Sequence, residues 1–110
     1  MIELILKNYL GSKLNCPVLL EKPDDNTVEY VLLEKTGSSR SNHIDSATFA
    51  IQSYSGSLYE AATLNDSVKN TLESIIYETE IASAKLNSDY NYTNTQTKEY
   101  RYQAVYEFTY

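Results

Sequence analysis

Apolar residues recur at helical spacing at the start of the chain, at Ile2, Ile5, Leu6, Tyr9, Leu10 and then Lys13 or Leu14, and this period predicts an amphipathic helix. Gly11-Ser12 or Asn15 ends it before Cys16-Pro17. Two lysines in the stretch are too few for a membrane-surface helix, so its stripe is assigned to packing on a sheet. Val18-Leu19-Leu20-Glu21 predicts a short strand, and Lys22-Pro23-Asp24-Asp25-Asn26 a turn. From Val28 to Lys35 the row Val28, Tyr30, Leu32, Glu34 alternates with Glu29, Val31, Leu33, Lys35, which predicts a strand buried on both faces at its middle.

The pattern then breaks. Thr36-Gly37-Ser38-Ser39-Arg40-Ser41-Asn42-His43 is small and polar with no apolar anchor, and it reads as a long, exposed, flexible loop at about 36–44. Alternation resumes from Asp45 to Tyr54, with Ala47, Phe49, Ile51 and Ser53 on one face, and a hairpin across the loop is the simplest pairing. Ser57 with Glu60 three residues on matches a capping box. Leu58, Ala61, Ala62, Asn65, Val68, Leu72, Ile75 and Ile76 then mark one face of a helix about five turns long. Residues 81–87 read as a strand, 89–97 as a wide polar connection. In the last strand Tyr100, Tyr102, Ala104, Tyr106, Phe108 and Tyr110 share one face, and Arg101, Gln103, Val105, Glu107 and Thr109 the other. The expected order is α-β-β-β-α-β-β: an α+β fold with two helices packed on an antiparallel or mixed sheet of about four to five strands.

With 110 residues the chain is expected to be a single domain, 1–110, and 42% hydrophobic with 22% charged residues is ordinary for a folded protein. Net charge changes the picture more. At −6 the protein should repel phosphate backbones and anionic lipid, so neither specific nucleic-acid binding nor membrane binding is expected. No apolar run is long enough for a membrane span, and the first residues lack the basic region of a signal peptide, which predicts a protein made in, and staying in, a cytoplasm.

Candidate chemistry is sparse. One cysteine, Cys16, and one histidine, His43, cannot form a disulfide or a structural zinc site. Cys16 reads as a small packed hydrophobe. His43, Asp45 and nearby serines have the residue types of a triad but no nucleophile elbow or oxyanion element. The three glycines, at 11, 37 and 56, are too dispersed for a phosphate loop. Asp45, Asp89 and Glu107 have no metal-ligand spacing. No catalytic residue, metal or cofactor is therefore expected. Tyrosine is the unusual residue, eleven copies against two phenylalanines. Its rings suit a partly wet subunit interface, or a sheet face beneath helices; both uses are open. Stacking of single-stranded nucleic acid conflicts with the acidic charge.

Taken in order, several segments resemble the tail terminator and tail-to-head joining proteins of long-tailed bacteriophages, often described as minor capsid proteins. Cys16-Pro17-Val18 after the first helix resembles the family's strand start, and Val31-Leu32-Leu33-Glu34-Lys35-Thr36-Gly37 its second strand running into a variable loop. Gln52-Ser53-Tyr54, Ser57 and Glu60-Ala61-Ala62 resemble its strand-to-helix passage. Ser88-Asp89-Tyr90-Asn91-Tyr92 and Arg101-Tyr102-Gln103-Ala104-Val105-Tyr106 resemble its polar turn and last strand, although Asn94 stands where that turn usually carries an aspartate.

The resemblance implies a non-enzymatic virion protein made in the host cytoplasm. It would form a homo-oligomeric, hexameric ring on the tail at the head–tail interface, ending tail polymerisation and meeting the tail tube protein and the head connector or stopper protein. On that basis Gly37, Ser38, Ser39, Arg40, Ser41, Asn42 and His43 are expected to form an assembly loop, and Tyr100, Arg101, Tyr102, Tyr106 and Tyr110 an interface strand. The alternatives are a head-completion or connector protein of the neck, or an acidic cytoplasmic binding or inhibitor module.

Overall fold

Local sequence signals set the two long helices. In the computed structural model, which describes residues 1–110, α1 spans Ile2–Lys13 and buries Ile2, Leu6, Tyr9 and Leu10. Helix α2 spans Leu58–Leu72, and the Ser57 hydroxyl accepts from the Glu60 amide at 3.1 Å, so one otherwise orphaned N–H of the first turn is satisfied. Ser57→Ala is expected to cost about 1 kcal/mol of stability, read by urea unfolding, with Ser57→Asp restoring most of it.

Five strands make one sheet in the order β1-β2-β3-β5-β4: β1 (Val18–Leu19), β2 (Tyr30–Ser41), β3 (Ile44–Ser55), β4 (Ser83–Asn91) and β5 (Tyr100–Thr109). Only β1 with β2 is parallel; every other pair is antiparallel. This is the expected α+β class and element order, with a mixed sheet. A third, one-turn helix, α3 (Ile75–Glu78), is the addition.

The main core lies between one sheet face and the helices. Phe49, Ile51 and Ala47 of β3, Ala104, Tyr106 and Phe108 of β5, and Val31 and Leu33 of β2 pack against Leu6 and Leu10 of α1 and Leu64, Val68 and Leu72 of α2. Phe49 and Phe108 meet edge to face with centroids 5.9 Å apart, and Phe108 stacks on Tyr106 at 5.6 Å. A small second cluster, Tyr30, Leu32 and Tyr54 with Leu19 against it, sits on the other face.

Several expectations are corrected. Residues 36–41 are not a flexible loop: they continue β2, paired to β3 through Gly37–Thr48, Ser38–Ala47, Ser39–Ser46, Arg40–Asp45 and Ser41–Ile44. The loop proper is the two-residue turn Asn42-His43, both residues at positive φ (52° and 65°), the backbone that favours a tight hairpin. A ladder needs only backbone partners, so a polar strand without apolar anchors still pairs; here Ser39–Ser46 hydroxyls and an Arg40–Asp45 ion pair add cross-strand bonds. The long helix also stops at Leu72, where Glu73-Ser74 bends the chain before α3. Leu58, at the N-terminal end of α2, and Ile76, beyond the bend in α3, are exposed and do not belong to the buried stripe, while Leu64 takes a buried position. Finally, β4 extends through Asp89, Tyr90 and Asn91, shortening the polar connection.

Candidate functional site

All three helices pack on one side of the sheet, and the opposite face carries a polar network that runs across the strands. The alternation of β3 and β5 turns Tyr54, Gln52, Arg101 and Gln103 to this side, and the ladder sets Leu32, Gln52, Gln103 and Tyr90 in one row. Arg101 Nη1 donates to the Tyr54 hydroxyl at 2.9 Å, which donates to Gln52 Oε1 at 2.8 Å. Gln52 Nε2 donates to Gln103 Oε1 at 2.9 Å, and Gln103 Nε2 to the Tyr90 hydroxyl at 2.6 Å. Every donor points the same way, from the guanidinium toward β4, so the bonds polarise one another and fix both amides.

Arg101 is the hub. Its side chain, 18% exposed, also donates from Nε to the Tyr92 carbonyl at 2.7 Å and pairs with Glu99 at 3.3 Å. The guanidinium lies 4.5 Å from the centroid of Tyr92 and 5.6 Å from that of Tyr54, and Tyr54 stacks on Tyr30 at 4.4 Å. Lys22, paired to Glu99 at 3.1 Å, places its ammonium 5.5 Å from the Tyr54 centroid. Burial, with Tyr54 and Glu99 nearby, pushes the Tyr30 phenol up to about 12. The result is a shallow concavity of about 500 Å³ walled by Leu20, Lys22, Leu32, Tyr54, Tyr92 and Arg101.

The residues expected to form an interface strand separate. Tyr106 is 5% exposed in the core beneath the helices, so in this fold its ring is a packing residue and not a contact for a neighbour. Tyr100 and Tyr102 are half-buried on that same side, and Tyr110 packs partly against the core. Arg101 alone of the five turns to the open face. Of the expected assembly segment, Gly37 to His43 are all exposed.

The comparison with known proteins adds no family. No family model matches the chain, and no curated protein is detectably similar to it.

The other candidates resolve into packing and ion pairs. Asp45 is engaged by Arg40 from Nε at 2.6 Å and Nη2 at 3.1 Å, which holds its carboxyl below the usual range. His43 stands at the hairpin turn. Cys16 is half-buried against the core, and burial with Glu29 nearby pushes its thiol up to about 11, away from thiolate chemistry. Asp89 bonds Lys69 at 2.9 Å. No three His, Cys, Asp or Glu side chains converge as a metal-binding group, and no helix is long and apolar enough to cross a membrane. Sequence reasoning did not join Gln52 and Tyr54 of β3 to Tyr90 of β4, because these strands are brought together only through β5 between them; the signal present was the alternation that puts Gln52 and Tyr54 on one face of β3, and Arg101 and Gln103 on one face of β5.

Proposed function

We propose that the protein is a structural subunit of a long-tailed bacteriophage that assembles as a ring on the tail tube, ends tube polymerisation and joins tail to head. The observation that carries this reading is the half-covered sheet: three helices on one face, and on the other a tyrosine, glutamine and arginine surface with no enclosed cleft. Such a surface, partly apolar and partly hydrogen-bonding, suits a protein contact that stays hydrated at its rim. Of the segments that resemble the tail family, Cys16-Pro17-Val18 leads into β1, 31–37 lies mostly in the first half of β2, Gln52 to Ala62 spans the passage from β3 into α2 and 101–106 lies in β5, while the stretch 88–92 likened to a polar turn lies mostly in β4. An acidic subunit is suited to a channel through which DNA must pass, since phosphate is repelled and does not stick.

The test is a null allele in the phage genome that carries this gene, complemented from a plasmid, with particles viewed by negative-stain electron microscopy. The expected result is overlong or unjoined tails beside DNA-filled heads, restored to uniform, head-bound tails by the wild-type gene. Intact virions of normal tail length from the null allele would overturn the reading. Normal free tails beside heads that leak their DNA would assign the protein to head completion.

A further inference from the structure

The sheet has two long unpaired edges. Strand β1 covers only Val31 and Leu32 of β2, so from Leu33 to Ser41 no strand pairs the outer edge of β2. Strand β4 ends the sheet on the other side, and its outer edge is unpaired from Ser83 to Asn91. Each run is nine residues long. Because β2, β3, β5 and β4 are successively antiparallel, β4 of one molecule brought beside β2 of an identical, similarly oriented molecule runs antiparallel to it.

The two edges also match in detail. Each carries a one-residue irregularity, β2 between Lys35 and Gly37 and β4 between Leu86 and Ser88. A bulge shifts the alternation of a strand, so a neighbour continues the ladder in phase only if its own shift falls opposite. Aligning the bulges sets Lys35 opposite Asp89, Ser38 opposite Leu86 and Ser39 opposite Lys85. Within its own sheet, Lys35 pairs with Phe49, Asp89 with Ala104, Ser38 with Ala47 and Leu86 with Tyr106, all on the helix-covered side. Ser39 pairs with Ser46 and Lys85 with Glu107, both on the open side. The faces therefore agree on both sides of the bulges.

Charge selects among the pairings. Lys35 bonds Glu3 at 3.5 Å, and Asp89 bonds Lys69 at 2.9 Å. Setting Lys35 against Asp89 of the next copy lines up Glu3, Lys35, Asp89 and Lys69 as four charges of alternating sign across the seam. Bulge-aligned pairing of β4 with another β4 sets Leu86 against Asp89, and of β2 with another β2 sets Lys35 against Ser38, with no opposite charges facing. Bulges and lysines on edge strands repel indiscriminate partners; the one partner that fits here carries the complementary bulge and charge.

From these matches we infer that copies of this chain join edge to edge, β2 of one copy to β4 of the next, as one continuous sheet. This is a heterologous contact between two different surfaces of one subunit, the type that a closed ring requires. It rests on the ring reading for its closure, but the seam is tested separately.

The experiment is disulfide cross-linking in a Cys16→Ser background. Directly opposed strand residues have Cβ atoms ~4.5–5.5 Å apart, close to what a disulfide spans with small adjustment. A chain carrying both Ser39→Cys and Lys85→Cys is oxidised across a concentration series and run on non-reducing gels. The expected result is a ladder of covalent multimers, absent from either single variant. Mixing the two single variants should give covalent heterodimers, and this arm stands if the double variant misfolds; the circular dichroism and melting of each single variant serve as the fold control. Moving the second cysteine to Ser83 should abolish most of the linkage, since the diagonal neighbour is ~7–8 Å away.

Three results would overturn the inference: no ladder or heterodimer at any concentration, efficient dimers from Lys85→Cys alone, or equal linkage through Ser83. A ladder from a protein whose null allele leaves tails normal would keep the seam and sink the tail function. Overlong tails with no linkage would do the reverse.

Discussion

Phe49→Ala is expected to lower the unfolding free energy by about 3–5 kcal/mol, the usual cost of emptying a buried aromatic site. Phe49 is fully buried on the central strand β3, between its neighbours β2 and β5, and its ring meets Phe108 edge to face. Truncation removes that contact and leaves a cavity where β3, β5 and the helices converge. The surrounding strands cannot close it without breaking their ladders, since Phe49 pairs with both Lys35 and Tyr106. Small domains hold about 5–15 kcal/mol in total, so the variant should be close to unfolded at physiological temperature. Urea unfolding followed by circular dichroism measures this, and Phe49→Leu should recover a large part of the loss. A midpoint within error of wild type would mean that β3 does not anchor the core as described.

Arg101→Ala should be the costliest change on the open face, at about 2–3 kcal/mol, in the range for a hydrogen-bonded charge of which one partner is deleted. The substitution removes bonds to the Tyr54 hydroxyl, the Tyr92 carbonyl and Glu99, along with the guanidinium packed on Tyr92. It also leaves the Tyr54 hydroxyl, on a residue only 2% exposed, with one partner fewer. Arg101→Lys should recover less than half of the loss, because an ammonium is a point charge and cannot bond two carbonyl-type partners and a hydroxyl in one plane while stacking on a ring. Urea unfolding gives the energies, and the side-chain amide resonances of Gln52 and Gln103 report whether the network stays ordered. Full rescue by lysine would show that charge alone, not the planar fork, holds the network.

Much of the fold was legible because its signals are local. A 3.6-residue stripe placed α1, and Ser57 with Glu60 marked the start of α2 to the residue. Alternation in 45–54 and 100–110 correctly grouped Ala47, Phe49 and Ile51, and Ala104 and Phe108, on one face. Where expectation failed, hydrophobicity was being used as a proxy for hydrogen bonding. The serine-rich stretch 36–41 has no apolar residue to bury, but its N–H and C=O groups still find partners on β3, and that suffices for a strand. The bend at Glu73-Ser74 was invisible for a related reason: Leu72 and Ile75 are both buried, so the apolar stripe runs on across a break in the backbone.

The candidate surface was legible only in part. Arg101 was singled out from its strand, but the grouping with Tyr106 crossed two faces, one of which lies under α2 and α1. Alternation puts Gln52 and Tyr54 on one face of β3, but Gln103 is 51 residues from Gln52 along the chain, and no spacing rule links Gln103 or Tyr90 to that pair.

By itself, then, the amino-acid order determined the element sequence, the sharing of faces along each strand and the acidic, tyrosine-rich character of the chain, since these depend on side-chain period and composition. Tertiary structure alone decided which face the helices cover, which tyrosines are consumed by the core, and which strand edges are left without a partner. Those are outcomes of strand order and register, and register couples residues distant in the chain through backbone hydrogen bonds that carry no side-chain signature.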